Sequence, residues 1–148
     1  ATSSAASDVY KRQIDDANEE NGCLKFIKGS HRDKNLKQHE FNKDKNLTLH
    51  QELLKSEFNE KESVNLILKR GQISLHDVYL VHGSDANLSS KSRRGMTMRF
   101  MPTTSVFDHN LAKEKYNNLN VSKYSNRKIY LARGYDKSKR NNLEVVNF

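Results

Sequence analysis

Two residues eleven positions apart, His82 and Arg93, carry the clearest chemistry in the chain. An apolar run, Val78–His82 (VYLVH), leads into the histidine, and a loop of small polar residues (GSDANLSSKS, 83–92) turns the chain back before Arg93 opens the next run. Imidazole is a good ligand for a divalent transition metal. Guanidinium presents a rigid fork that grips a carboxylate through two parallel hydrogen bonds. In an antiparallel hairpin the end of one strand lies beside the start of the next, so His82 and Arg93 are expected to face one cavity. That pair suits a small dicarboxylate that chelates a metal at one end and meets arginine at the other. On residue types alone, His82 is a buried strand histidine held by a backbone hydrogen bond, and Arg93 a surface cation with Arg94 as its rival. Strand alternation separates the two arginines: Arg93 shares a face with Gly95, Thr97 and Arg99, and Arg94 shares the other with Met96, Met98 and Phe100.

The elements that must hold these residues are short. Apolar runs predict strands at 23–27, 64–68, 73–76, 78–82, 94–101 and 129–132, divided by turns at Asn21-Gly22, at 69–72 and at Arg133-Gly134, with Pro102 closing the fifth. The spacing of Leu49, Leu53 and Leu54 predicts a helix within 47–58, and 111–117 predicts another. Residues 32–46 read as a long surface loop, and Ala1–Ser7, rich in Ala, Ser and Thr, as disordered. Many short strands between Gly/Asn/Ser turns predict a mainly β sandwich or barrel. His39, His50 and His109 are expected to be exposed, His76 either to line the cavity beside His82 or simply to pack, Cys23 to be a small core residue, and Asn87 to stabilise its loop.

The 148 residues are one domain's worth of chain, 34% hydrophobic and 30% charged, which permits a core but not a large one. One cysteine excludes a disulfide framework and a cysteine-rich zinc module. No apolar run approaches the roughly 20 residues that cross a bilayer, and no apolar secretory signal opens the chain; a cytoplasmic protein without membrane contact is expected. The net charge of +8 is spread along the chain among Asn, Asp and Glu, without zinc-finger spacing, heptads or aromatic-rich basic strands. No nucleic-acid partner is expected; a small anionic substrate would profit from the positive field.

The stretch 72–89 (QISLHDVYLVHGSDANLS) with 93–104 (RRGMTMRFMPTT) closely resembles the C-terminal half of the phytanoyl-CoA dioxygenase family. So do Asp15-Asp16-Ala17 through Asn21-Gly22-Cys23-Leu24-Lys25-Phe26-Ile27-Lys28-Gly29-Ser30-His31, where the family usually has proline at Lys28, and the tail 129–136 (IYLARGYD). The resemblance runs from about Ile14 to Asn142. It implies a double-stranded β-helix, or jelly roll, incomplete at its N-terminus, and an oxygenase using iron(II) and 2-oxoglutarate. Its members convert 2-oxoglutarate to succinate by oxidative decarboxylation and hydroxylate a substrate; here that implies a small organic molecule and O2 as partners. By the same resemblance His82 is the second histidine of the iron triad, Arg93 binds the far carboxylate of 2-oxoglutarate, and Ser84 hydrogen-bonds that carboxylate.

The family's first histidine and carboxylate form an H-x-D motif upstream of the segment that reads Asn21-Gly22-Cys23 here, and no histidine precedes that point. The chain therefore reads as a C-terminal fragment: 1–13 disordered or foreign, joined near Gln13 or Ile14, and 14–148 the oxygenase part. His31-Arg32-Asp33 is itself an H-x-D, but the family's Gly-Ser-His lies in a loop away from the metal, so a solvated loop is expected. The alternative to an oxygenase is a non-catalytic jelly-roll binding module, or an inactive fragment lacking those upstream ligands. The substrate and the oligomeric state are not legible.

Overall fold

The structure, a computed structural model, describes residues 8–44, 50–116 and 126–145. In chain order its elements are β1 (Asp8–Gln13), β2 (Leu24–Ile27), β3 (His39–Phe41), β4 (Gln51–Leu53), β5 (Ser63–Leu66), β6 (Ile73–His76), β7 (His82–Ser84), β8 (Gly95–Phe100), α1 (His109–Tyr116), β9 (Ile129–Tyr130) and β10 (Leu143–Glu144), with single 3-10 turns at Lys55–Glu57 and Glu60–Glu62. The chain is mainly β, with one α-helix among the described residues and sheets that are antiparallel apart from the β9–β10 pair. This agrees with the jelly-roll expectation, although no sheet closes into a barrel among the described residues. No helix among them is long and apolar enough to cross a membrane.

The chain forms two compact units. The first, which extends to Lys37 and resumes over Lys55–Met101, holds two three-stranded sheets in the orders β6-β1-β8 and β5-β2-β7. The second, Gln38–Leu54 with the chain from Pro102 onward, holds the β3–β4 and β9–β10 pairs and α1. There Asn141 ties the chain by donating to Ser105 O at 2.9 Å and accepting from Phe107 N at 3.0 Å. Asp136 closes the turn before it, accepting from Ser138 Oγ at 2.6 Å.

The core of the first unit is thin, as the low apolar share predicts: Val9, Ala17, Cys23, Leu24 and Val81 are buried with the polar Gln13 and Asn21. Cys23 sits there as expected, and burial pushes its thiol above the usual range. The two faces of the β6-β1-β8 sheet differ sharply. Register puts Val9, Lys11 and Gln13 on one face with Ser74, His76, Gly95, Thr97 and Arg99. Tyr10 lies on the other with Ile73, Leu75, Met96, Met98 and Phe100, and Leu75 is 70% exposed. The alternation read from 94–101 is therefore the one the sheet adopts.

Several expectations are corrected. Disorder through Gln13 is not what the structure has: Asp8–Gln13 is the central strand of its sheet, with β6 on one side and β8 on the other, while residues 1–7 lie outside the described ones. The helix expected within 47–58 is absent where described; β4 pairs with β3 inside what was read as loop and helix, because cross-strand hydrogen bonding outweighs weak local propensity. Leu49 lies outside the described residues. The strand expected at 78–82 begins where it was to end. Asp77 makes a turn instead, its side chain accepting from Tyr79 N at 2.8 Å and its carbonyl from Leu80 N at 3.1 Å, so the strand is His82–Ser84. His50 and His109 are half-buried rather than exposed, against Phe41 and Phe107 respectively.

Candidate metal and cosubstrate site

The site gathers at β7. In that strand His82 and Ser84 project from one face, two residues apart. Directly opposed partners put Phe26 beside His82 and Leu24 beside Ser84 on the same face of β2. Lys25, on the reverse face, pairs with Asp85 at 2.6 Å and Glu60 at 2.7 Å and fastens the strand end from behind; both carboxylates hold its ammonium above the usual range.

His82 Nδ1 lies 2.7 Å from the carbonyl of Leu80. A carbonyl only accepts, so Nδ1 is the donor, and in the neutral form of the ring Nε2 then carries the lone pair. That is the tautomer a metal-ligating histidine needs, oriented by its own backbone. Its ring centroid is 5.0 Å from that of His76 on β6, tilted by 57°. His76 thus faces the site from the other sheet rather than packing away from it. Its Nδ1 is buried without a partner, and burial, with the charges of His82, Lys11 and Arg99, lowers its pKa to about 4.

Arg93 reaches the same place. Its Nε donates to Asn21 O at 3.1 Å and its Nη2 to Ser84 Oγ at 3.4 Å, the long end of hydrogen bonding. Ser84 and Arg93 are therefore brought together, on the face of β7 that carries His82. The route differs from the expected one. Strands β7 and β8 do not form a hairpin; they belong to different sheets, and Arg93 meets Ser84 across the space between them.

The choice between Arg93 and Arg94 has a physical basis in Asp15. Its carboxylate accepts from Arg94 N at 2.9 Å, Arg94 Nε at 2.8 Å and Arg94 Nη2 at 2.9 Å. This two-pronged grip occupies Arg94 and leaves Arg93 on the site's face. The Arg94 guanidinium and amide hold the Asp15 carboxyl down at about 2. A depressed folded-state pKa stabilises the fold above the ordinary carboxyl range, near 4, and that contribution is lost as pH falls toward 2. Acid unfolding is thus expected to begin below about pH 4, and Asp15→Asn should flatten the part of this dependence that reports on Arg94, followed by denaturant midpoints from pH 5 to 2.

Asn21 is the anchor that sequence reading passed over as part of a turn. It is buried, donates from Nδ2 to Asp16 O at 2.8 Å, and exchanges side-chain-to-backbone bonds with Asn18 at 2.8 and 3.1 Å. Its own carbonyl is then free to receive Arg93. The signal was present: two asparagines three apart beside a glycine form a self-capped turn. Asn87 does what was expected, accepting from Ser89 N at 3.0 Å and donating to Lys91 O at 2.7 Å.

The metal's ligand set is incomplete here. Among the described residues no three His, Cys, Asp or Glu side chains converge on one point. His31 and Asp33 do not complete the set with His82: Asp33 pairs with Lys37 at 3.1 Å in its own loop. The cosubstrate end fits better, with a guanidinium and a hydroxyl within reach of one small anion.

Comparison with known proteins bears on the same residues. The family model for phytanoyl-CoA dioxygenase (PhyH) matches residues 13–95, a span that contains His82, Ser84 and Arg93. Two curated relatives, phytanoyl-CoA dioxygenase domain-containing protein 1 homologs of Caenorhabditis briggsae and Caenorhabditis elegans, are each 34% identical over 93 residues, 60% of this chain. The chain spans about a third of their length, 32% in each case. A solved structure titled "Crystal Structure of EvdMO1" aligns over 66% of this chain and 20% of its own at 26% identity and a TM-score of 0.43. With the family match covering more than half of the residues and enclosing the site just described, the chain belongs to the phytanoyl-CoA dioxygenase family.

Proposed function

We propose that this chain supplies the cosubstrate-binding side of an iron(II)- and 2-oxoglutarate-dependent dioxygenase that hydroxylates a small organic substrate. The contact between Arg93 and Ser84 on the face that carries His82 is the observation that carries this reading. Arg93 and Ser84 bind the far carboxylate of 2-oxoglutarate, Asn21 aims the guanidinium, and the carbonyl of Leu80 keeps His82 Nε2 open toward iron. Iron and 2-oxoglutarate, when bound, supply the oxidation: one atom of O2 enters succinate as carbon dioxide leaves, and the other becomes the substrate's hydroxyl. Family membership supports the oxygenase class. O2 and a small molecule are the partners in this reading, the setting is cytoplasmic, and neither nucleic acid nor membrane takes part.

A second reading has its own observation. Because the described residues bring no three metal-ligating side chains together, this chain by itself would bind the cosubstrate without turning it over. Calorimetric titration with 2-oxoglutarate, followed by an assay for succinate with iron(II) under air, separates the readings. Saturable binding without succinate is expected of this chain, and succinate is expected once two further iron ligands are supplied by a longer protein of the same sequence. A chain that ignores 2-oxoglutarate but binds DNA or RNA with a steep salt dependence would overturn both.

A further inference from the structure

His76 and His82 stand at the two ends of one short link. The five residues between them, Asp77 to Val81, leave β6 and enter β7, and so carry the chain from one sheet to the other. The link has little freedom. Asp77 closes its turn through Tyr79 N at 2.8 Å and Leu80 N at 3.1 Å. Val81 is buried, its amide donates to Ser30 Oγ at 2.9 Å, and its carbonyl accepts from Ile27 N at 3.0 Å. The two imidazoles are thereby held 5.0 Å apart between ring centroids, tilted by 57°.

That separation is the one a shared metal ion imposes. A metal–nitrogen bond of about 2.0–2.1 Å, with about 1.2 Å from nitrogen to ring centre, puts each centroid about 3.2 Å from the ion. Two rings at about 90–110° around it then lie about 4.6–5.3 Å apart. Ring packing alone gives similar distances, so the nitrogens carry the argument. His82 Nδ1 is tied to Leu80 O at 2.7 Å, which leaves Nε2 of the neutral ring for a ligand. His76 Nδ1 is buried and meets no protein partner, and a buried polar atom is costly without one. His31 Nδ1 and His109 Nδ1 are buried in the same way, but the ring against His109 is that of Phe107, which offers no lone pair. Among the described residues, the ring contacts join imidazole to imidazole at 76 and 82 alone.

We infer that His76 and His82 together form a two-imidazole site for a divalent transition-metal ion, with a donor set different from the two histidines and one carboxylate of the iron triad. The inference rests on the reading of His82 as a metal ligand and adds His76 to it. Both donors are neutral, and among the described residues no third His, Cys, Asp or Glu joins them. Lys11 and Arg99 stand on the same face of the sheet as His76 and repel a dication. Such a site holds only an ion with strong affinity for nitrogen, so zinc(II), nickel(II) and copper(II) are favoured over iron(II). The ion's remaining positions are open to water or a small anion.

Titration of the whole chain with zinc(II), followed by calorimetry and by the nitrogen-15 signals of the histidine rings, tests this. A single zinc per chain is expected, with the ring signals of His76 and His82 moving together. His76→Phe keeps the ring's packing against His82 and removes both nitrogens; like His82→Phe, it is expected to weaken zinc about a hundredfold, the loss of one of two linked donors. The amide spectrum reports whether each variant keeps the fold, and His76→Asn replaces His76→Phe if phenylalanine disturbs it. His109→Phe, which removes another partnerless imidazole, should leave zinc affinity unchanged. A loss with His82→Phe but not with the His76 variants would overturn the inference and leave His82 standing as a ligand. A loss with neither, or zinc moving other histidine rings instead, would overturn both.

Discussion

Arg93→Met is expected to cost this chain about a hundredfold in affinity for 2-oxoglutarate, measured by calorimetry. Two charge-assisted hydrogen bonds to one carboxylate, discounted for partial exposure, come to about 3 kcal/mol, and every 1.4 kcal/mol is about tenfold. Methionine keeps the stem's length and apolar contact but none of the donors, so the loss reports on the fork. Arg93→Lys should recover only part, since an ammonium is a point charge that cannot bond both oxygens in one plane. Arg94→Met is the control. That side chain is held by Asp15 through Nε and Nη2, so its loss should lower stability and leave 2-oxoglutarate affinity within about twofold. Equal losses from both arginines would mean that general positive charge, not one placed guanidinium, attracts the ligand.

Gly22→Ala is expected to give the largest loss of stability of any single methyl addition to the first unit. Gly22 has φ +71, and a Cβ there would stand 2.3 Å from the carbonyl oxygen of Asp85 and 3.2 Å from Ala86. The left-handed backbone alone costs an L-residue about 1–2 kcal/mol. The collision is with main chain, which cannot swing aside as a side chain would, so a total of about 3–4 kcal/mol is expected. Gly71→Ala calibrates the result: its φ is +85 but nothing lies within 4 Å, so it should cost only the backbone penalty. Denaturant unfolding of both variants checks the difference. The substitution also pushes apart Asn21 and the 85–86 segment, so 2-oxoglutarate affinity should fall with it although residue 22 touches no ligand.

The unequal costs at two left-handed glycines show where local reading ends. Asn21-Gly22 and the turn at 69–72 were both legible as turns, because asparagine and glycine announce a reversal through their own backbone preferences. That one glycine is pressed against Asp85 and the other faces open space is set by segments more than sixty residues away, and no window of sequence contains it. The same division runs through the strands. Alternation along 95–100 is a local property, so the faces of β8 were readable in advance. The partner strands were not: β8 was expected beside the strand of His82 and instead pairs with Asp8–Gln13, a segment whose composition gave no reason to expect a strand. At 78–82 an apolar run outweighed a single aspartate in the reading, but the Asp77 carboxylate captures the Tyr79 amide, its carbonyl accepts from Leu80 N, and the chain turns.

His82, Ser84 and Arg93 were identifiable as a chemical set from their types and spacing, since imidazole, hydroxyl and guanidinium keep their affinities wherever the chain puts them. Their meeting was another matter. It depends on Asp15 occupying Arg94, on Asn21 receiving Arg93, and on two separate sheets facing each other so that Arg93 crosses to Ser84. The placement of His76 against His82 arises in the same way, from strand register and the facing of the two sheets. Residue chemistry is local and travels with the letter; register and facing are agreements between distant segments, made by whichever arrangement satisfies the most backbone hydrogen bonds while burying the few apolar side chains this chain possesses.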